Sequence, residues 1–338
     1  MITSPMLARV LKAAVLRGAS DVHAKAGDVF RARVKGELVP LTKQRLTPAQ
    51  TRALAATFAG MELEDPRLDR LRDFDCSWGI SGVGRFRVNV LRQRSSFMVI
   101  LRVVPFAVPT PENLGLPDVI SRFAELSEGL VLIAGARGSG RTSTIAAMVH
   151  HINRSQQRHI LTLEDPIEFL HRDISSSVTQ REIGTDSEDF AQALQAAGRQ
   201  NPDVLVLSEL RESSALERAI RLAESGVLVI AAFSAADAAS ALVQLVATLP
   251  AAEREIGRLR LTAVLRAVVA QRLVPRADRS LQLVVEWTEM TEQLRSVVGT
   301  SDDVAPLRKA IERAAKEGRA ETFARAMAEA GLDTKLTG

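Results

Sequence analysis

Gly135-Ala136-Arg137-Gly138-Ser139-Gly140-Arg141-Thr142 has the residue types and spacing of a loop that can wrap a polyphosphate. Its glycines let the backbone turn amide N–H groups inward, and a helix opening at the end of the loop adds positive potential. Thr142 carries the hydroxyl expected to ligate Mg2+, and Thr144 follows on the same helical turn. One position breaks the pattern G-x-x-x-x-G-K-[ST], because the lysine is Arg141. An ammonium is a compact point charge, whereas a guanidinium is longer, planar and forked, so it would meet the β/γ phosphates differently. It can still neutralise them, and bidentately. A glycine-rich turn alone would prove nothing, but the context here is specific. Residues 129–134 form a short apolar run, and after the loop Ile145, Met148, Val149 and Ile152 fall on one helix face. Strand, glycine loop and helix in that order predict a nucleotide site, with ATP and Mg2+ as its ligands.

Two carboxylates stand where they could serve this loop. Glu164 follows residues 159–163, read as a strand, and Glu209 follows the apolar run 204–207. Taken alone, either could be a helix cap or a surface charge. At the end of a buried strand beside a phosphate loop, a carboxylate can hold a water on Mg2+ or orient an attacking water. Glu209 is expected on the Mg2+ side with Thr142. His150-His151 does not make a metal site, since adjacent helical residues point in different directions and no third ligand is evident.

The elements needed to hold these groups alternate along residues 118–290. Strands are predicted at 129–134, 159–163, 204–207 and 227–233, with helices after the loop, at 189–197 and at 215–225. Strands apolar on both faces with helices between them indicate a parallel sheet in a three-layer α/β/α domain. Leu261, Val264, Leu265 and Val268 have helical spacing and predict an amphipathic helix. Residues 1–108 read differently: a short helix with Met6, Val10, Ala13 and Ala14 on one stripe, then a meander of strands at 29–34, 38–41, 74–80, 86–91 and 97–104. Lys35-Gly36-Glu37 signals a hairpin, and Thr47-Pro48-Ala49-Gln50 carries a helix capping box. This is a small α+β domain. Three prolines in Pro105-Phe106-Ala107-Val108-Pro109-Thr110-Pro111 break regular structure, and the boundary is placed near residue 110, with 109–117 as a linker. Residues 291–338 form a tail, with two short alanine-rich helices predicted between Asp302 and Gly331.

Composition narrows the function classes. Of 338 residues, 46% are apolar and 25% charged, the balance of a globular chain with room for two domains. Aromatic residues reach only 4% and tyrosine is absent, which argues against a base-stacking nucleic-acid surface. The net charge of +4 is scattered rather than run together. Cys76 is the single cysteine, so internal disulfides and multi-cysteine zinc sites are excluded, in keeping with a reducing cytoplasm. The opening residues have neither the charged start nor the cleavage site of a signal peptide, and no apolar run approaches the ~20 residues that span a bilayer.

With the loop placed, the wider chain resembles the type IV pilus retraction ATPases, the PilT/PilU-like branch of the type II/IV secretion ATPase superfamily. Residues 160–169, ILTLEDPIEF, resemble the acidic Asp box, and residues 201–211, NPDVLVLSELR, the Walker B segment. Ser20-Asp21-Val22-His23, Gly84-Arg85-Phe86-Arg87-Val88-Asn89 and Gln180-Arg181-Glu182-Ile183-Gly184 match further segments in the same order. The resemblance runs from about residue 7 to residue 290. It implies a PAS-like N-terminal domain, a RecA-like ATPase domain and a short helical tail. Glu164 would polarise the lytic water. Arginines from the first domain or a neighbouring subunit would reach the phosphates, with Arg87, Arg94, Arg102, Arg181 and Arg199 as candidates, of which Arg87, Arg102 and Arg199 are preferred. It further implies a homo-hexamer or a mixed hexamer with a paralogous ATPase. That ring would sit at the cytoplasmic face of the inner membrane, against a pilus platform protein and without direct nucleic-acid contact.

The sequence also departs from that family. The His box expected across 226–235 has Val227 and Ser234 at its histidine positions, the Walker B glycine is Ser208, and Met290-Thr291-Glu292-Gln293-Leu294-Arg295 keeps little of the retraction-linked helix. Two readings therefore stand. Glu164 and Glu209 favour a motor that hydrolyses ATP to drive pilus disassembly. Arg141, Val227 and Ser234 favour a degenerate paralogue that binds nucleotide, or only its ring partner, and modulates a competent ATPase.

Overall fold

The structure, a computed structural model, describes residues 4–80, 82–104, 108–276 and 280–332. Pro105, Phe106 and Ala107 of the proline-rich segment lie outside the described residues, as do the last residues of the tail. The chain divides into two compact units, Met1–Ala107 with Glu168–Leu170, and Val108–Ile167 with His171–Gly338.

The first unit runs α1 (Ser4–Leu16), β1 (Ala19–Lys25), β2 (Arg31–Val34), β3 (Glu37–Pro40), α2 (Pro48–Ala59), α3 (Pro66–Arg70), β4 (Asp73–Ile80), β5 (Gly84–Gln93) and β6 (Ser96–Val104). Its strands form an antiparallel sheet in the order β3-β2-β1-β6-β5-β4. Lys35 and Gly36 both take positive φ, the geometry that lets a two-residue turn match the twist of its strands. At the start of α2 the Gln50 amide donates to Thr47 Oγ1 at 3.2 Å, and the Thr47 amide donates to Gln50 Oε1 at 2.8 Å. Leu54 and Phe58 of α2 share one core with Phe86, Val88, Val99 and Leu101 of the sheet. The stripe expected on α1 is displaced: Leu7, Leu11 and Ala14 are buried, while Ala13 is exposed. The larger leucines take the buried face and rotate the helix accordingly. Strand β1 was not anticipated, because Ser20, Asp21, His23 and Lys25 dilute its apolar content, although Val22 and Ala24 are fully buried.

The second unit runs α4 (Pro111–Leu114), α5 (Asp118–Ala124), β7 (Gly129–Ala134), α6 (Arg141–Ser155), β8 (His159–Glu164), β9 (Ser177–Glu182), α7 (Phe190–Ala197), β10 (Val204–Leu207), α8 (Ser213–Glu224), β11 (Leu228–Phe233), α9 (Ala238–Thr248), α10 (Arg254–Val264), β12 (Leu265–Pro275), β13 (Leu281–Glu289), α11 (Glu292–Thr300), α12 (Val304–Lys316), β14 (Ala320–Glu321) and α13 (Phe323–Glu329). Among the described residues its strands form one sheet in the order β14-β13-β12-β7-β11-β10-β8-β9. The strands from β12 to β9 are parallel, and β13 and β14 add antiparallel to the edge. Successive residues of β7 face opposite layers. Leu130, Leu132 and Ala134 join the core that includes α8, α9 and α12, while Val131 and Ile133 join Ile120 and Phe123 of α5 and Met148 and Ile152 of α6. Both faces of the sheet are therefore covered, and this unit is a three-layer α/β/α fold.

Three expectations need correcting. Residues 109–117, read as linker, contain the one-turn helix α4, whose start is capped by Thr110 and whose end is set by Gly115 in the left-handed region. The amphipathic helix read across Leu261 to Val268 stops at Val264, and Leu265 turns extended and opens β12. A short apolar run fits either period, and burial between two layers decides for strand. The tail is also more than helices: its two helices form as α12 and α13, but Ala320–Glu321 between them pairs with β13, so the tail completes the sheet.

One side chain ties these late elements together. The Glu286 carboxyl on β13 accepts the amide of Ala238, the first residue of α9, at 2.7 Å, and that of Phe323, the first residue of α13, at 3.2 Å. Burial pushes its pKa above the ordinary 4.5, and the two amides only partly oppose the rise. The native state thus holds this proton more tightly than the unfolded chain. Its contribution to stability is complete below 4.5 and is lost as pH rises through the native value. Thermal melts across this window should show Tm falling more steeply with rising pH for the wild type than for Glu286→Gln; parallel slopes would refute the assignment.

Candidate functional site

Parallel strands bring their C-terminal ends to one edge of the sheet, and ligands of such folds bind outside that edge. The phosphate loop leaves β7 there. Gly135 is confined on both sides: a Cβ at this position would lie 2.3 Å from Ser139 Oγ and 2.9 Å from the Gln271 carbonyl oxygen. Gly138 and Gly140 have φ of 81° and 90°, left-handed values that side chains resist. Gly140 is the N-cap of α6 and supplies no side chain to its free amides. The loop is closed from within by the Ser139 amide on the Ala136 carbonyl at 3.1 Å.

Buried polar atoms without a hydrogen-bond partner among the described residues gather at this loop: Ser139 Oγ, Arg141 Nη1, Thr144 Oγ1 and Gln271 Oε1. Leaving such an atom unpaired costs about 1–3 kcal/mol, so a cluster of them marks a place built to be completed by a ligand. Two hydroxyls and a guanidinium are donors suited to phosphate oxygens. Gln271 is the functional residue that sequence reasoning missed. It lies on β12, is 1% exposed, and its Nε2 donates to the Ser139 carbonyl at 2.7 Å. The signal was a lone amide after the apolar run Ala267-Val268-Val269-Ala270, legible only once that run is read as a strand.

Arg141, in the place of the usual lysine, opens α6 half-buried. Burial depresses its pKa, the nearby Glu209 carboxylate opposes that and Arg211 adds to it. Glu209 follows β10 and is ion-paired with Arg211. Glu164 ends β8, where its Oε1 accepts Thr162 Oγ1–H at 2.7 Å and Gln180 Nε2–H at 2.9 Å. These donors hold the carboxylate beside the strand end. Ser208 replaces the glycine expected before Glu209, and its Oγ accepts the Asp165 amide at 3.2 Å. The segments bearing the two glutamates are thereby stapled together. Among the described residues no cluster of three or more His, Cys, Asp or Glu could hold a metal ion. Mg2+ asks for less, one or two protein oxygens with phosphate and water completing its shell, and the Thr142 hydroxyl and Glu209 carboxylate are donors of that kind.

The other expected residues are distributed as follows. Gly135 to Thr142 and Thr144 form the loop and the first turn of α6. Arg199 is not brought to it. It lies exposed in the turn after α7, before β10 begins, at the opposite edge of the sheet. Arg181 on β9 donates to the Asp186 carbonyl at 2.8 Å and holds a local turn. In the first unit, Arg87 and Arg102 are cross-strand neighbours on β5 and β6, and Arg102 Nε is 3.0 Å from Asp21 Oδ1 on β1. Arg94 occupies the β5–β6 turn with positive φ. Val227, at the first histidine position, is buried in the helix-covered core, whereas Ser234 is exposed beyond β11.

The contact at Gly135 can be tested directly. Gly135→Ala, whose Cβ would press on Ser139 Oγ and on the β12 backbone at Gln271, should lose at least about tenfold in ATP affinity by calorimetry, the equivalent of 1.4 kcal/mol, in a variant whose circular dichroism matches the wild type. Unchanged affinity would show that this loop does not hold the ligand.

Known proteins carry the same architecture. The family model described as type II/IV secretion system protein matches residues 2–306. The type IV pilus ATPase PilU of Pseudomonas aeruginosa is 33% identical over 331 residues, covering 97% of this chain and 86% of PilU. The retraction ATPase PilT of the same organism is 33% identical over 296 residues, with 88% and 86% covered. A crystal structure of the pilus retraction motor PilT with bound ADP superposes with a TM-score of 0.82 at 33% identity, over 98% of both chains. A fold shared with that structure, relatives 33% identical over most of the length and a family match over residues 2–306 lead to one conclusion: the chain belongs to the type II/IV secretion system protein family.

Proposed function

We propose that this protein is a P-loop ATPase subunit of the type IV pilus retraction machinery, coupling ATP binding and hydrolysis to pilus disassembly. The observation that carries this reading is the set of partnerless buried donors at the 135–144 loop, with Glu164 and Glu209 at the ends of neighbouring strands. The relatives named PilU and PilT support the pilus assignment, and the ADP-bound PilT neighbour supports nucleotide as the ligand.

In this reading the loop amides, the Ser139 and Thr144 hydroxyls and Arg141 bind the phosphates. Thr142 and Glu209 hold Mg2+, which neutralises phosphate charge when bound. Glu164, held by Thr162 and Gln180, orients the attacking water. The working assembly is a hexameric ring at the cytoplasmic face of the inner membrane, engaging a platform protein, with Arg87 and Arg102 contributed by a neighbouring subunit. Among the described residues no helix is long and apolar enough to cross a membrane, so attachment runs through partners.

A second reading has its own support. Arg141 replaces the lysine, Arg211 occupies Glu209, and Val227 is committed to the core. A subunit so altered would modulate a competent ATPase as a ring partner. Steady-state assays separate the two. The wild type should bind and hydrolyse ATP, and Glu164→Gln should reduce turnover by about 10²-fold or more while leaving affinity within a factor of a few. Arg141→Lys should raise turnover. Binding without turnover in the wild type would assign the modulating role, as would ring assembly without nucleotide binding, whereas absence of both would remove the two readings.

A further inference from the structure

Consecutive residues of a strand face opposite sides of a sheet, and on β12 this separates two tasks. Gln271 serves the phosphate loop: its carbonyl oxygen confines Gly135 and its Nε2 donates to the Ser139 carbonyl. Arg272, the next residue, serves the other face. Its Nε and Nη2 donate to the Ala236 carbonyl at 3.2 and 2.9 Å, and its guanidinium lies 4.3 Å from the centroid of the Phe323 ring. Phe323 is the buried first residue of α13. Ala236 belongs to the segment after β11, where the family resemblance leads one to expect a histidine and Ser234 stands instead.

We propose that Arg272 is a positioning residue for the phosphate loop, through which the C-terminal helix α13 sets the loop's geometry. The proposal rests on the nucleotide reading above. The segment after β11 is tied to the tail by more than Arg272. Asp237, which caps α9 by accepting the Ser240 amide at 2.7 Å, is also 2.7 Å from Arg308 Nη2 of α12. Glu286 accepts the first amides of both α9 and α13. A cavity of about 300 Å³ opens among Asp237, Arg272, Glu286, Arg308 and Phe323, beside these ties. If α13 moves, Arg272 loses the ring beneath it and Glu286 loses one amide. The strand backbone at 271–272 keeps its pairing with Val285 and Val284 of β13, and what changes is the side-chain support opposite the face that touches the loop. Coupling of this kind is reciprocal: a ligand that orders the loop must also order the tail.

Hydrogen exchange on the full chain with and without millimolar ATP and Mg2+ tests it. Slower exchange is expected in residues 136–144 and also in 320–329. A protected loop with an unchanged tail would overturn the proposal and leave the nucleotide reading standing, whereas no protection at either place would overturn both. An affinity cycle gives a readout that a purely structural role would not move. Phe323→Leu keeps apolar bulk but removes the ring face, and should weaken ATP binding by about fivefold, the low end of typical allosteric couplings. That effect should vanish in the Gln271→Asn background and be absent in Phe323→Tyr. Equal losses in both backgrounds, with Tm lowered in parallel, would make Phe323 structural only and sink the idea. If Phe323→Leu does not fold, the exchange experiment decides.

Discussion

The structure depends on how closely the backbone at Gly135 can approach its neighbours. The residue leaves a fully buried strand and must turn at once beneath Ser139, with the Gln271 carbonyl at its back. There is no room for a Cβ, and the turn that results leaves Ser139, Arg141 and Thr144 with buried donors and no partner among the described residues. A fold tolerates that cost when a ligand removes it. The parallel sheet exists, in this sense, to hold one loop in a shape that water and protein alone do not complete.

Charge near the loop is arranged around Arg141. A lysine there would present one compact cation, whereas Arg141 is a half-buried guanidinium under the opposing influence of Glu209 and Arg211. The Arg211–Glu209 ion pair keeps the carboxylate from facing Arg141 alone. Ser208, which costs the segment its glycine, repays it with a hydroxyl that anchors the Asp165 amide and so fixes the spacing of the strand ends carrying Glu164 and Glu209. Two positions that depart from the expected family pattern each have a structural use, Ser208 as a staple and Val227 as core.

The tail closes the molecule differently from its appearance in the sequence. Alanine-rich helices suggest an appendage, yet β14 extends the sheet and Glu286 joins the starts of α9 and α13. The first unit carries its own core and a complete antiparallel sheet, with Arg87 and Arg102 side by side on adjacent strands.

The sequence alone determined whatever local spacing controls. Glycines at 135, 138 and 140, the apolar run before them and the helical stripe after them sufficed to place the loop, and Thr47 to Gln50 sufficed to start α2. The glutamates were legible because each ends an apolar strand. What the tertiary structure decided was everything that depends on distant segments meeting. Val268 could be helical or extended until two layers enclosed it, and Gln271 acquired a role only because β12 lies beside β7. Arg199 carried the same charge as the other candidates, but the direction of the chain places it before β10, away from the loop of its own subunit. Periodicity is a property of neighbours in sequence, whereas a site is made by neighbours in space, and hydrogen-bond partners more than 100 residues apart, such as Gln271 and Ser139, leave no periodic trace.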